Sequence, residues 1–400
     1  MPDATPTPPG PAEIPDDASV ITSDVPGSFA WRVMRERNPA LVRKVRDAFP
    51  FSPERRDRFA ALLDQLDVGV VEPIGADAHD HRSWQDWGIA RHIGTSLLHA
   101  PFLWAESYFY RLLLDASGYF GPGPWRGVDP FAPFKRAELA GPETAAEIRA
   151  LDTLTGLDPR ERADVLLRSS LWGNRADLSF QEGAHGVDAE KSRLVADATE
   201  RFWNLLDEGS GGRVCLVADN AGRELLPDLV LLDDLLATGR ASEVVLHVKP
   251  HPYYVSDATT ADVLDSLRHL CAREGQAYDV GTRLWRAMEQ GRLRVRAHAF
   301  SCAPLPYQEM PEDLAADFAA ASLTIMKGDL NYRRLVGDRY WAPTTSFATA
   351  TGYFPGPVAA LRTLKSDVVT GLDRATVAAL DESGPAWRSS GTHALVQLRG

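Results

Sequence analysis

Val214-Cys215-Leu216-Val217-Ala218-Asp219-Asn220-Ala221-Gly222 is an apolar run that stops abruptly at an acid, an amide and a glycine. A short continuous run of this kind reads as a strand buried on both faces, the pattern of a parallel sheet. In open α/β sheets ligands bind in the crevice beyond the carboxyl ends of the strands, so Asp219 is released toward a cleft rather than into the core. Asp219 and Asn220 offer two oxygen-bearing side chains side by side, and Gly222 permits close backbone approach. That chemistry suits a hard divalent cation. The competing explanation is that Asp219 caps the next helix.

Three further runs follow the same plan. Glu243-Val244-Val245-Leu246-His247-Val248-Lys249 reads as a strand, followed by a Pro-rich turn that delivers Ser256-Asp257. Leu323-Thr324-Ile325-Met326 leads at once into Lys327-Gly328-Asp329-Leu330-Asn331-Tyr332, and Val358-Ala359-Ala360-Leu361 leads into Arg362-Thr363-Leu364-Lys365. Helical spacing occupies 224–237 and 260–273 between them. The expected fold is α/β, a parallel-type sheet flanked by helices, with a mainly helical N-terminal subdomain. Parallel pairing puts every strand's carboxyl end on one side, where two acids, an amide, the Gly328 loop and Lys365 would converge. Capping alone does not account for that convergence.

Together with Leu171-Trp172-Gly173-Asn174-Arg175-Ala176-Asp177-Leu178-Ser179, these segments occur in an order that resembles the damage-control phosphatases of domain-of-unknown-function family 89 (DUF89), specifically the acidic residue methyltransferase 1-like branch. The resemblance runs from about Trp31 to near Ala386. It implies a metal-dependent phosphoric monoester hydrolase acting on a small phosphorylated metabolite such as a sugar phosphate, with fructose 1-phosphate as an example. It also implies a divalent metal, Mn2+, Ni2+, Co2+ or Mg2+, held by Asp219, Asn220 and Asp257. Gly328, Asp329, Leu330, Asn331, Tyr332 and Lys365 are implied as the substrate-binding residues. The branch brings an alternative, S-adenosylmethionine-dependent protein carboxyl methyl transfer. Arg223 and Pro250-His251-Pro252 depart from the residues relatives often carry, which bears on the substrate.

The chemistry of the residues points the same way. A phosphate monoester carries close to two negative charges, and its hydrolysis needs a cation to polarise an oxygen and orient the attacking group. Three oxygens from Asp219, Asn220 and Asp257 leave coordination positions open, and Lys365 offsets phosphoryl charge as a point donor. The Gly328 loop precedes a helical stretch at 330–335, whose first amides can cradle phosphate. Asp329 and Asn331 are candidates for the organic portion. The catalytic set is therefore Asp219, Asn220, Asp257 and Lys365. Asn174 is a candidate substrate contact and Asp177 a candidate neighbour of the site. His247 and Lys249 alternate onto one strand face and are expected to be structural, while Asp233-Asp234 is expected at a solvated helix edge. Arg362 either assists Lys365 or pairs with acidic surface. Gly121 and Gly123 follow no strand and do not make a nucleotide loop.

Composition bounds these expectations. A chain of 400 residues, 44% hydrophobic, can bury a sizeable core, and a net charge of −12 argues against a nucleic-acid partner. Positive charge must then be concentrated locally, with Lys249, Lys327, Arg333, Arg334 and Lys365 as the candidates. The 3 cysteines form no disulfide framework, and no apolar stretch has membrane-spanning length, so a cytoplasmic protein with no membrane partner is expected. Six prolines in the first fifteen residues mark 1–27 as a disordered tail. A helical subdomain at 28–168 and an α/β metal- and phosphate-binding domain at 169–400 follow, with 382–400 expected as a loose end.

Overall fold

In the computed structural model, which describes residues 18–173, 193–209 and 211–400, one seven-stranded sheet organises the chain. Its strands are β1 Leu194–Asp197, β2 Gly212–Val217, β3 Ala241–Val248, β4 Leu293–Ala297, β5 Leu323–Lys327, β6 Val358–Thr363 and β7 Ala394–Arg399. The spatial order is β1-β7-β6-β5-β2-β3-β4. Strands β4, β3, β2, β5 and β6 run parallel, β7 is antiparallel to β6, and β1 pairs parallel with β7. The sheet is therefore mixed rather than wholly parallel. The stretch expected as a loose end supplies β7, an interior strand whose residues from Ala394 to Val396 are buried.

Alternation along each strand divides the core in two. Cys215, Val217, Val245 and Met326 face one side, where they pack with the N-terminal helices, including the long buried Phe102–Ser117 helix. Val214, Leu216, Val244, Leu246 and Ile325 face the other, against the Pro159–Trp172, Leu225–Ala237 and Thr260–Cys271 helices. Helices thus cover both faces, as parallel strands require.

The Leu225–Ala237 helix is buried all round, so Asp233 and Asp234 are not at a solvated edge. Asp233 pairs with Arg283 at 2.6 Å and Asp234 with Arg162 at 3.1 Å, which neutralises acids that a leucine-rich surface could not hold unpaired. Of the expected tail, the described residues from Ala18 to Ser23 are held in place. Ile21 is buried, its amide donates to the Asp338 carbonyl and its carbonyl accepts from the Phe102 amide.

The chain leaves β2 toward β3 and β4 on one side and returns through β5, β6 and β7 on the other. Between β2 and β5 lies the switch point where an open sheet forms a ligand crevice. Asp219 follows β2 there, and Gly328 follows β5.

Candidate active site

Two turns build the site by pairing with each other. The Asp219 carbonyl accepts from the Ala258 amide at 2.9 Å, and the Ala221 amide donates to the Ser256 carbonyl at 2.6 Å. Asn220 and Asp257 form an antiparallel bridge. Asp257, distant in the chain, is thereby brought beside the adjacent Asp219 and Asn220. The Ser256 hydroxyl donates to Asn220 Oδ1 at 2.7 Å, while Asn220 Nδ2 donates to Glu224 Oε2 at 2.7 Å and to Asp219 Oδ2 at 3.2 Å. Thr259 closes the second turn with a capping box to Asp262, starting the Thr260–Cys271 helix.

Both acids are buried and only partly neutralised. Burial pushes the Asp219 carboxyl well above the usual range, and the nearby charges of Glu224 and Asp257 push it further against the pull of Lys365 and Lys249. Burial also raises Asp257, opposed by Lys249, whose Nζ stands 4.0 Å from Asp257 Oδ2. The Tyr254 amide donates to the same oxygen at 3.2 Å. Lys249 is thus a part of the site, although its strand position suggested a structural role. His247 is structural in its surroundings: it packs on Phe318 with ring centroids 5.1 Å apart, and burial lowers its pKa to about 3.

A divalent cation fits this donor set. Two carboxylates and an amide oxygen are hard ligands, and like charges buried together lack the compensation such a cation supplies. Gly328 adds a cradle, since its α-carbon lies against Asp219 with no room for a side chain. Among the described residues no group of three or more His, Cys, Asp and Glu side chains is gathered as a ligand set, so the candidate set is two acids and the Asn220 amide.

The loop after β5 begins the Gly328–Val336 helix, which has no side-chain cap. Its side chains turn inward. Asn331 donates to the carbonyls of Ala218 at 3.0 Å and Lys327 at 2.8 Å, and the Tyr332 hydroxyl meets Thr370 and Gln397, each at 3.0 Å. Leu330 is buried beside Leu103 and Tyr253. Asp329 accepts from Arg362 at 2.9 Å and from Ser366 at 3.1 Å. Arg362 is fully buried over the Tyr332 ring, so it neither assists Lys365 directly nor meets acidic surface. Lys327, Arg333 and Arg334 are also committed internally, to Asp228, to Glu106 and Asp338, and to the carbonyls of Phe300, Ser301 and Leu305. Lys365 differs: its ammonium has no hydrogen-bond or ion-pair partner among the described residues, yet its charge is felt at Asp219 and Glu138. Asn174 and Asp177 lie outside the described residues.

The family profile of the damage-control phosphatase ARMT1-like domain matches residues 33–380, most of the chain. The chain belongs to that family. Damage-control phosphatase ARMT1 of Danio rerio is 29% identical over 434 residues, covering 94% of this chain and 96% of its own length. The protein of the same name from Rattus norvegicus is 30% identical, covering 94% and 97%, and that from Homo sapiens is 28% identical, covering 96% and 98%. A crystal structure of a DUF89 family protein from Pyrococcus horikoshii aligns with TM-score 0.48 at 15% identity, covering 88% of this chain and 93% of that one. Membership supports a phosphatase-type enzyme in general terms. Among the described residues no helix is long and apolar enough to cross a membrane.

Within this family member, two site acids escaped sequence reasoning. Glu224 lies four residues beyond Asn220, at the N-cap of the Leu225–Ala237 helix, where the turn through Gly222 brings it back to the Asn220 amide. Glu138 comes from the Ala132–Leu139 helix and overhangs the turn, where a Cβ on Gly222 would stand 3.0 Å from its Oε2. No local signal marks it, because the contact depends on packing of the N-terminal helices.

Proposed function

We propose that this protein is a metal-dependent phosphatase that hydrolyses a small phosphorylated metabolite of the sugar phosphate class, with fructose 1-phosphate as the model substrate. The observation that carries the reading is a pair of buried, under-neutralised carboxylates, Asp219 and Asp257, at the switch point of the sheet with the uncommitted ammonium of Lys365 in electrostatic reach. Asp219, Asp257 and the Asn220 amide oxygen hold the metal, for which Mn2+, Ni2+, Co2+ and Mg2+ all suit oxygen ligands. A bound divalent cation supplies polarisation of a phosphoryl oxygen and offsets the charge that builds up there.

The chain's own groups do the rest. Lys365 binds the phosphoryl group as a point cation. The uncapped first turn of the Gly328–Val336 helix offers main-chain amides to the phosphate oxygens. The Gly328–Tyr332 loop acts chiefly through that main chain, since Asp329, Asn331 and Tyr332 spend their side chains on internal hydrogen bonds. Asn220 orients Asp219 through one hydrogen bond and is itself oriented by Ser256 and Glu224. Carboxyl methyl transfer would need a nucleoside pocket at the turn after β2, and that turn is filled by Asp219 against Gly328 and Asn220 against Glu224.

The test is phosphate release from p-nitrophenyl phosphate and a panel of sugar phosphates by chelator-treated protein, with each metal added back singly. Release restored by metal is the expected result. Methyl transfer from S-adenosylmethionine to a carboxylate, with no metal-stimulated phosphate release, would overturn the reading.

A further inference from the structure

Behind the carboxylates lies a buried polar cluster that the proposed chemistry does not use. Lys327 Nζ stands 2.8 Å from Asp228 Oδ1 and 2.9 Å from Ser170 Oγ, and it also donates to the Ser170 carbonyl. The Ser170 hydroxyl donates to Asp228 Oδ1 at 2.5 Å. Lys327 and Asp228 are each only 1% exposed, and Asp228 Oδ2 has no hydrogen-bond partner.

Such a cluster is a poor source of stability. Removing two charges from water costs about as much as their attraction returns, and apolar pairs of similar volume often hold a fold equally well. An acid oxygen left unbonded adds to that cost. Its value lies in what its three members hold. Lys327 ends β5, and its carbonyl is tied through Asn331 to the carbonyl side of Ala218, the residue before Asp219. Its next neighbour, Gly328, packs on the Asp219 carboxylate. Ser170 lies in the last turn of the Pro159–Trp172 helix, three residues before Gly173, where a Cβ would stand 2.7 Å from Glu224 Cγ. Asp228 sits one helical turn beyond Glu224, and Glu224 bonds Asn220. Every branch ends at Asp219 or Asn220.

We infer that Lys327, Asp228 and Ser170 form a clamp that sets the separation of Asp219 from Asn220 and Glu224, by locking the carboxyl end of β5 to the ends of two helices. They are positioning residues, and this inference rests on the proposal that Asp219, Asn220 and Asp257 hold a divalent metal. Ordering the metal ligands relative to Lys365 demands tolerances that an apolar contact, free to slide, does not impose. Directional hydrogen bonds from one ammonium to three acceptors do impose them.

The experiment compares wild type with K327M/D228V, which removes both charges together, and with S170A, which removes only the hydroxyl. Each is assayed for melting temperature, Mn2+ affinity by calorimetry, kcat and KM on p-nitrophenyl phosphate, and amide hydrogen exchange at 169–173 and 328–331. The double variant is expected to melt close to wild type. It should bind Mn2+ at least ~10-fold more weakly and lose up to ~100-fold in kcat, with a smaller change in KM, because small misplacement is costly to chemistry. Exchange at both segments should accelerate. S170A should show the same changes at lower amplitude, and it carries the test if the double variant does not fold. Wild-type Mn2+ affinity, kcat and exchange in the folded variants would overturn the clamp. If wild type itself neither binds Mn2+ nor releases phosphate, the metal proposal fails, and the exchange comparison alone decides whether the clamp orders the two segments.

Discussion

The α-carbon of Gly328 rests on the carboxylate of Asp219, so that a Cβ at position 328 would stand 1.9 Å from Asp219 Oδ2 and 2.1 Å from its Cγ. The backbone there has φ +80°, which an L side chain rarely adopts. Two strands meet the ligand crevice at this contact, β2 bringing the acid and β5 the helix that begins at Gly328.

Gly328→Ala is therefore expected to displace Asp219 and strain the turn. A shift of about an ångström is worth ~100-fold in turnover, and a left-handed non-glycine residue costs about 1–2 kcal/mol. Steady-state kinetics with urea unfolding checks both, and an alanine variant with wild-type kcat would show that the contact is not needed.

Asp219→Asn removes one of two like charges buried side by side. Burial and the charges of Glu224 and Asp257 make the ionised form of Asp219 unfavourable, so the variant should melt at higher temperature than wild type when both are metal-free at neutral pH. Added Mn2+ should reverse that order. Ligand at 100 times its dissociation constant stabilises the native state by about 2.7 kcal/mol, and only wild type should gain it. Thermal melts with chelator and with Mn2+ decide, and equal Mn2+ stabilisation of both proteins would remove Asp219 from the ligand set.

Lys365→Met should leave the stability of the Mn2+-loaded protein close to wild type, because among the described residues the ammonium holds no hydrogen bond or ion pair and the bound cation takes over its pull on Asp219. Loss of a charge-assisted hydrogen bond to phosphate should raise KM and the inhibition constant of inorganic phosphate by ~10-fold or more. Product inhibition measured alongside melting separates a binding role from a structural one. A melting temperature that falls with no change in phosphate inhibition would contradict the assignment.

Asp329 yields a pH prediction. Burial pushes its carboxyl up, but the charges of Arg362 and Arg333 and hydrogen bonds from Arg362 and Ser366 outweigh burial and hold it below the ordinary range. A carboxylate lowered in the folded state contributes stability above the unfolded value, about 3.9, and loses it as pH falls through the lower folded value. Asp329→Asn should thus be less stable than wild type near neutrality, with a deficit that shrinks below about pH 4. Urea midpoints across that range test it, and a deficit independent of pH would place the loss in packing instead.

The interior strands β2, β3, β5 and β6 were legible because each is an apolar run that breaks directly into polar residues with chemical capacity. Leu194–Asp197 and Ala394–Arg399 were not, since the first is only 4 residues long, Gln397 interrupts the second, and their strand conformation depends on each other and on β6. Leu293–Ala297 alternates arginines on an edge strand and pairs only with β3. Asp233 and Asp234 misled for a related reason: a charge in a leucine-rich helix looks solvated until its partner is known. They find theirs in Arg283 and Arg162, each distant in the chain.

By itself the sequence determined where chemistry could occur, because strand ends release polar side chains into a crevice wherever the apolar run stops. It also determined the order in which Asp219, Asp257, Gly328 and Lys365 arrive. Only tertiary structure decided which charges remain available. Lys327, Arg333, Arg334 and Arg362 resemble Lys365 in composition and position, yet four of the five cations are spent on buried partners. Whether a charge is spent or free is a matter of distance through space between groups far apart in the chain, and no local pattern encodes that distance.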